Sequence, residues 1–206
     1  MYNTMCLPFD IHGKSSLNNI KNQDGSKTLL PSNTTSILRF KGSQTVTTSS
    51  GEDVLELSFV ELGTSETLPA NEPFLIKPAN DMTEIMYFTN VTISNTNNQE
   101  PTDGVTFIPV IAPTTIAGGE EANNLILIAD NRLALNAGGE MLGLRGYFHA
   151  TDLPAGVRAR MRIGNTTTEI ENIAPDQPTT IKILKDGQIY IIRGNEVYTI
   201  TGAKVR

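Results

Sequence analysis

Two prolines bracket a short apolar run: Pro73 precedes Phe74-Leu75-Ile76, and Pro78 follows Lys77. Proline has no N–H to give a central ladder, so it marks strand ends and edges. The stretch Leu68–Val91 therefore reads as two short buried strands joined by a polar loop. The second is the run Ile85-Met86-Tyr87-Phe88, which follows Asn80-Asp81. Lys77 is expected to carry its charge outward from the first. The rest of the chain is expected to pack around this pair.

The same punctuation recurs along the chain. Tyr2–Ile11 reads as an opening strand bent at Pro8, and His12–Ser36 as a long surface excursion that holds a short helix or hairpin. Ile37–Phe40 and Thr45–Thr47 are short strand candidates. In Val54–Leu62, Leu55, Leu57 and Phe59 fall on one face and Glu56, Ser58 and Val60 on the other, the period of a half-buried strand. Val91–Ile93 is expected to continue or re-pair the central strands. Val105–Ile111 follows, its second half demoted by Pro109 and Pro113 to an edge or a bend. Leu125–Ala129 meets Arg132–Leu135 across Asp130-Asn131, a tight hairpin signal because Asp and Asn tolerate positive φ. Met141–His149 and Val157–Ile163 are further strands. Ala117–Asn124 has room for one helical turn, and no helix of ordinary length is evident.

Composition agrees. Thr, Asn, Ser and Gly are abundant and charged residues are only 18%, a mix that suits strands with polar outer faces and many turns. A chain of 206 residues is long enough to bury a sizeable core. About fourteen short strands with frequent turns predict an all-β fold, an antiparallel β-sandwich of jelly-roll or immunoglobulin-like type. This sandwich is expected to span residues 1–172. Beyond Pro175 and Pro178, glycine-bearing turns at near-regular spacing predict a small β-meander over 173–206, packed on the sandwich or on a neighbour.

Sixteen basic against 22 acidic residues leave a net charge of −6. That argues against nucleic acid, whose binding rests on phosphate neutralisation. No apolar run approaches the length of a membrane span, so no transmembrane segment is expected. Met1 leads directly into a strand-like pattern with no signal peptide, so an excised domain or a mature fragment is expected.

Residues able to do chemistry are few. Cys6 is the single cysteine, so no internal disulfide forms, and Met5-Cys6-Leu7 reads as a small buried hydrophobe. His12 and His149 are the only imidazoles, and neither has a His or Cys partner at ligand spacing. Asp24-Gly25 and Asn80-Asp81 lack the oxygen density of a calcium loop. Glu120-Glu121 are adjacent acids and Glu169/Glu171 alternate ones, and alternate acids on a strand usually mark its wet face. No nucleophile elbow and no phosphate cradle occur. No catalytic residue, cofactor or metal is therefore expected. Two weak ligand-contact candidates remain. Arg158, Arg160 and Arg162 alternate along one strand and share one face. Guanidinium forks there could hold an anion; the plainer account is pairing with acids on a neighbouring strand. Tyr87, Tyr147, Tyr190 and Tyr198, the last on the terminal meander, could present exposed edges to a sugar face in a chain without tryptophan; core or half-buried sheet packing is the plainer account.

Asn3–Ile11 (NTMCLPFDI), Glu72–Asp81 (EPFLIKPAND) and Leu144–Ala150 (LRGYFHA) resemble a recurrent module of Bacteroidetes cell-surface and secreted proteins, with the Asp130-Asn131 hairpin also in keeping. Asp186–Arg206 (DGQIYIIRGNEVYTITGAKVR) is similar to the C-terminal tails of such proteins, shortened type IX secretion sorting domains. The resemblance implies export to the cell surface or exterior, usually as the last part of a multidomain protein, and carries no catalytic residue. The expectation is a non-enzymatic surface module with a structural or adhesion role. Its alternative is a module that binds glycan or peptide through loops at one end of the sandwich, with a cell-surface glycan or protein as partner.

Overall fold

β-Strands dominate the computed structural model. It describes residues 1–31, 33–78, 86–95, 104–153, 158–164, 166–168, 181–185, 188–193, 196–199 and 204–205, the last five only as backbone. The strands are β1 (Asn3–Met5), β2 (Ile11–His12), β3 (Ser36–Thr47), β4 (Asp53–Glu61), β5 (Thr67–Leu68), β6 (Phe74–Lys77) and β7 (Val105–Val110). Then come β8 (Thr114–Ile116), β9 (Asn124–Ile128), β10 (Arg132–Leu135), β11 (Gly139–Met141), β12 (Arg145–Ala150), β13 (Arg158–Ile163) and β14 (Thr166–Thr168). β15 (Ile181–Lys185), β16 (Gln188–Arg193), β17 (Glu196–Thr199) and β18 (Lys204–Val205) end the chain. Helix among the described residues is limited to 3-10 turns at Lys14–Asn19, Glu120–Ala122 and Ala129–Asn131. The second of these falls within the stretch read as having room for one turn. The chain is all-β.

Two compact units are present, Met1–Ile173 and Ala174–Arg206. The first holds a six-stranded sheet in the order β1-β6-β3-β4-β13-β14 and a four-stranded sheet β10-β9-β12-β7. The second is a four-stranded antiparallel meander, β15-β16-β17-β18.

Local chemistry explains several pairings. β3 is one strand where two were expected. Its ladder to β4 shifts register between Phe40 and Gly42, and Gly42 has φ 126°, a conformation only glycine adopts freely. The hairpin β9–β10 turns with φ 59° at Asp130 and 57° at Asn131, as their residue types predict. Pro109 lies in β7, an edge strand, where its missing N–H interrupts no central ladder. The antiparallel expectation needs one correction: β13 runs parallel to β4, from Arg158 opposite Val54 to Ile163 opposite Phe59. The chain between them builds the second sheet, and that long crossover brings β13 back in the direction of β4.

Alternation along β3 and β6 sends neighbouring residues to two separate cores, while β4 gives its apolar face to the first alone. Leu38, Leu57, Phe59 and Leu75 join Val105, Phe107, Leu125 and Phe148 of the four-stranded sheet in the first core. The two sheets thus contribute to one apolar cluster. Ile37, Phe74 and Ile76 enter the second core, with Leu7, Phe9, Ile11, Leu17, Ile20 and Leu30. The excursion after His12 is therefore more than surface: its Leu17, Ile20 and Leu30 are at most 4% exposed and cover one face of the six-stranded sheet. Gly13 enters it with φ 72°, and a Cβ there would sit 2.1 Å from the Thr64 carbonyl oxygen. β1 ties the first sheet to β12: Gly146 N–H donates to Thr4 Oγ1 at 3.3 Å and Arg145 Nη1 to the Thr4 carbonyl at 3.2 Å.

The expected second central strand does not form as read. Ile85 lies outside the described residues. Tyr87 makes one isolated bridge with Lys21, and Met86 and Phe88 pack against the second core. Val91–Ile93 forms no strand. Phe74–Lys77 does form a strand, with Lys77 exposed. Among the described residues no helix is long and apolar enough to cross a membrane.

Candidate functional site

The arginine row lies on the face of the six-stranded sheet opposite the first core. Ala159 and Met161 of β13 point into that core, so Arg158, Arg160 and Arg162 point away from it. The parallel register sets Arg160 beside Glu56, which is only 2% exposed. Arg160 reaches Glu56 Oε2 with Nε at 2.9 Å and Nη2 at 2.7 Å. Arg162 Nε lies 3.1 Å from Glu56 Oε1 as an ion pair outside hydrogen-bond geometry. Gln44 Nε2 donates to the same oxygen at 3.1 Å from β3. Arg158 pairs with Glu52 at 3.1 Å. A carboxylate out of water needs such company, because its desolvation is costly unless opposite charge and hydrogen bonds replace the lost water. The row thus meets acids from β4 and the turn before it, and what it does best is hold β13 in parallel register.

Tyr198 stands on β17 opposite Ile191 of β16 and Lys204 of β18; its side chain and that of Tyr190 lie outside the described residues. Tyr87 is 39% exposed. Tyr147 is half-buried, and burial pushes its phenol above the ordinary value.

The remaining chemistry-bearing groups sit in structural settings. Cys6 is fully buried, and burial, followed by the nearby Glu72 charge, pushes its thiol up to about 12. Such a thiol stays protonated at neutral pH and is a poor nucleophile. Glu72 is held by Arg39 in a bidentate pair, Nε at 2.5 Å and Nη2 at 2.8 Å. His149 Nδ1 lies 2.9 Å from Asn124 Oδ1, and His12 Nδ1 lies 3.4 Å from Thr67 Oγ1. Asp24 Oδ1 accepts from Ser26 Oγ and N–H, which hold its carboxyl below the usual range. Asn80, Asp81, Glu169 and Glu171 lie outside the described residues. Among the described residues, no three His, Cys, Asp or Glu side chains converge as metal ligands.

One concave site was not legible in the sequence. Where the chain bends at Pro8, Phe9 and Asp10 face the segment 88–94 across a cleft. Two hollows, of about 120 Å³ and about 450 Å³, adjoin there, and Phe9, Asp10, His12, Asn90 and Val91 border both. Backbone bonds pin the segment at its ends: Tyr87 exchanges N–H···O bonds with Lys21 at 2.9 and 3.1 Å, and Ser94 N–H donates to the Pro8 carbonyl at 2.7 Å. Asn71 Nδ2 donates to the Ser94 carbonyl at 2.9 Å. Asn90 has φ 58°, which breaks any strand through it. On the opposite wall Asp10 Oδ1 accepts from Ala70 N–H at 2.7 Å, which fixes the carboxylate. Phe9 and Phe88 rings meet at 4.9 Å. The signal available in the sequence was Asn90, since asparagine enters the left-handed region more readily than other side chains.

No family model, curated protein or solved structure matches the chain.

Proposed function

We propose that the first unit is a β-sandwich and that the protein is a non-catalytic, exported surface module with a structural or adhesion role. The observation that carries this reading is the placement of its reactive groups. The lone thiol is buried and protonated, each imidazole lies against a neutral side chain, and the arginine row meets Glu52 and Glu56. These arrangements hold strands together and prepare no bond-breaking step. The sharing of one core by two sheets supports the sandwich. The resemblance of Asn3–Ile11, Glu72–Asp81 and Leu144–Ala150 to Bacteroidetes surface proteins supports export, with the last 21 residues, Asp186–Arg206, as its sorting-like tail.

Intact source cells treated with an external protease provide the test. Cleavage of this chain before lysis, with a cytoplasmic marker intact, is the expected result. Protection until lysis would refute surface placement. A second reading, a module that binds glycan or peptide, is favoured by the cleft between Phe9–His12 and Asn90–Ser94.

A further inference from the structure

The cleft holds more polar capacity than cohesion requires. Between its pins at Tyr87 and Ser94, the backbone of Phe88–Ile93 makes no hydrogen bond among the described residues. Those N–H and C=O groups are therefore left to water or to a ligand. Among the described residues, Asp10 is the sole acid on the walls, and no lysine or arginine borders either part of the cleft. A phosphate or carboxylate would meet a fixed negative charge there with no lysine or arginine among the described residues to offset it. An ammonium group would suit Asp10, but it only donates hydrogen bonds. It would leave the amide donors of Asn19 and Asn90 without acceptors. A ligand that both donates and accepts, and has an apolar face to set against the half-buried Phe88 ring, suits this mixture of groups.

We infer that this cleft binds a neutral saccharide ring. Asp10 accepts hydrogen bonds from ring hydroxyls, Asn90 and the open backbone beside it supply donors, and the half-buried Phe88 takes the C–H face of the ring. The larger hollow, at about 450 Å³ and bordered by Asp10 and Asn90, falls in the size class of small-ligand sites, and Phe88 and Asn19 border the smaller one that shares these two residues. This assignment rests on the second reading above and narrows it to one ligand class.

Amide chemical shifts of the full chain, titrated with millimolar neutral hexoses and N-acetylhexosamines, test it. Parallel titrations use glucuronate, butylamine and an extended tripeptide. The expected result is saturable shifts confined to Phe9–His12 and Asn90–Ser94, given by neutral sugars and insensitive to salt. Asp10→Asn should weaken binding about tenfold through loss of charge-assisted hydrogen bonds. Should that variant misfold, Asn90→Gly keeps the backbone conformation and removes the amide, and should weaken binding several-fold. Silence toward every neutral sugar, or a response to glucuronate alone, overturns the assignment. So does a salt-sensitive response to butylamine alone. A response to the peptide alone also overturns it while leaving the broader binding reading in place. Chemical conversion of a bound sugar would refute the non-catalytic reading and leave the site assigned.

Discussion

Truncating Phe148 tests whether one core joins the two sheets. Phe148 of β12 is fully buried. Its ring stacks on Phe107 at 4.1 Å and meets Phe40 at 5.9 Å and Phe59 at 6.0 Å. Phe107 belongs to its own sheet, but Phe40 and Phe59 belong to the other. Phe148→Ala removes a buried aromatic side chain and leaves a cavity that close-packed neighbours fill only in part, a loss of about 3–5 kcal/mol. A domain stabilised by roughly 5–15 kcal/mol would lose a large fraction of its stability. A subtler measurement isolates the contact between sheets: a double-mutant cycle with Phe148→Leu and Phe59→Leu, read as urea midpoints by far-UV circular dichroism. An edge-to-face ring pair should couple by about 0.5–1.5 kcal/mol. The same cycle with Phe148→Leu and Phe74→Leu is its control, because Phe74 packs in the second core and should add to within about 0.5 kcal/mol. Additivity of Phe148 with Phe59, or a Phe148→Ala cost below about 1 kcal/mol, would refute the shared core.

Other perturbations follow from the same contacts. Glu56→Ala should cost about 1–3 kcal/mol, less than for a fully buried pair because water can reach Arg160 and Arg162, whose side chains are 22% and 41% exposed. Urea midpoints and faster amide exchange in β13 would reveal it, and unchanged exchange there would contradict the proposed clamp. Gly13→Ala meets both a left-handed backbone and the Thr64 carbonyl at 2.1 Å. Its conformation, φ 72° with ψ 161°, is all but confined to glycine and alone costs about 1–3 kcal/mol, so the variant should lose at least about 1 kcal/mol of stability, with amide protection falling first at Leu17 and Ile20. Cys6 has a raised value in the folded chain, so its contribution is complete below about 9, the ordinary thiol value, and is lost as pH rises toward about 12. Stability of the native chain should therefore fall by up to about 1.4 kcal/mol per pH unit in that window relative to Cys6→Ala. Parallel stability curves for the two proteins would sink this account.

What the sequence discloses depends on how local its cause is. The Asp130-Asn131 turn is visible because positive φ is a property of the two residues that make it. β4 is visible because a strand with one apolar face repeats every second residue, and Pro109 points to an edge because it cannot donate. Beyond such local causes, the sequence is silent. The parallel meeting of β4 and β13 joins residues about a hundred positions apart, and no local signal distinguishes it from an antiparallel one. The excursion after His12 looks soluble by composition, yet three of its aliphatic side chains fill a core whose other wall lies far along the chain. The arginine row was legible as one face, but its acids became identifiable only once register set Glu56 beside Arg160. The cleft was the least legible of all. Phe88 and Val91 have the residue types of a strand, and the single left-handed turn at Asn90, with anchors on Lys21 and Pro8, leaves their segment out of the sheets and opposite Asp10. A binding surface of this kind arises where a strand-like stretch is denied a partner, so the place to look for function in a chain of this composition is where local pattern predicts a ladder and the fold withholds it.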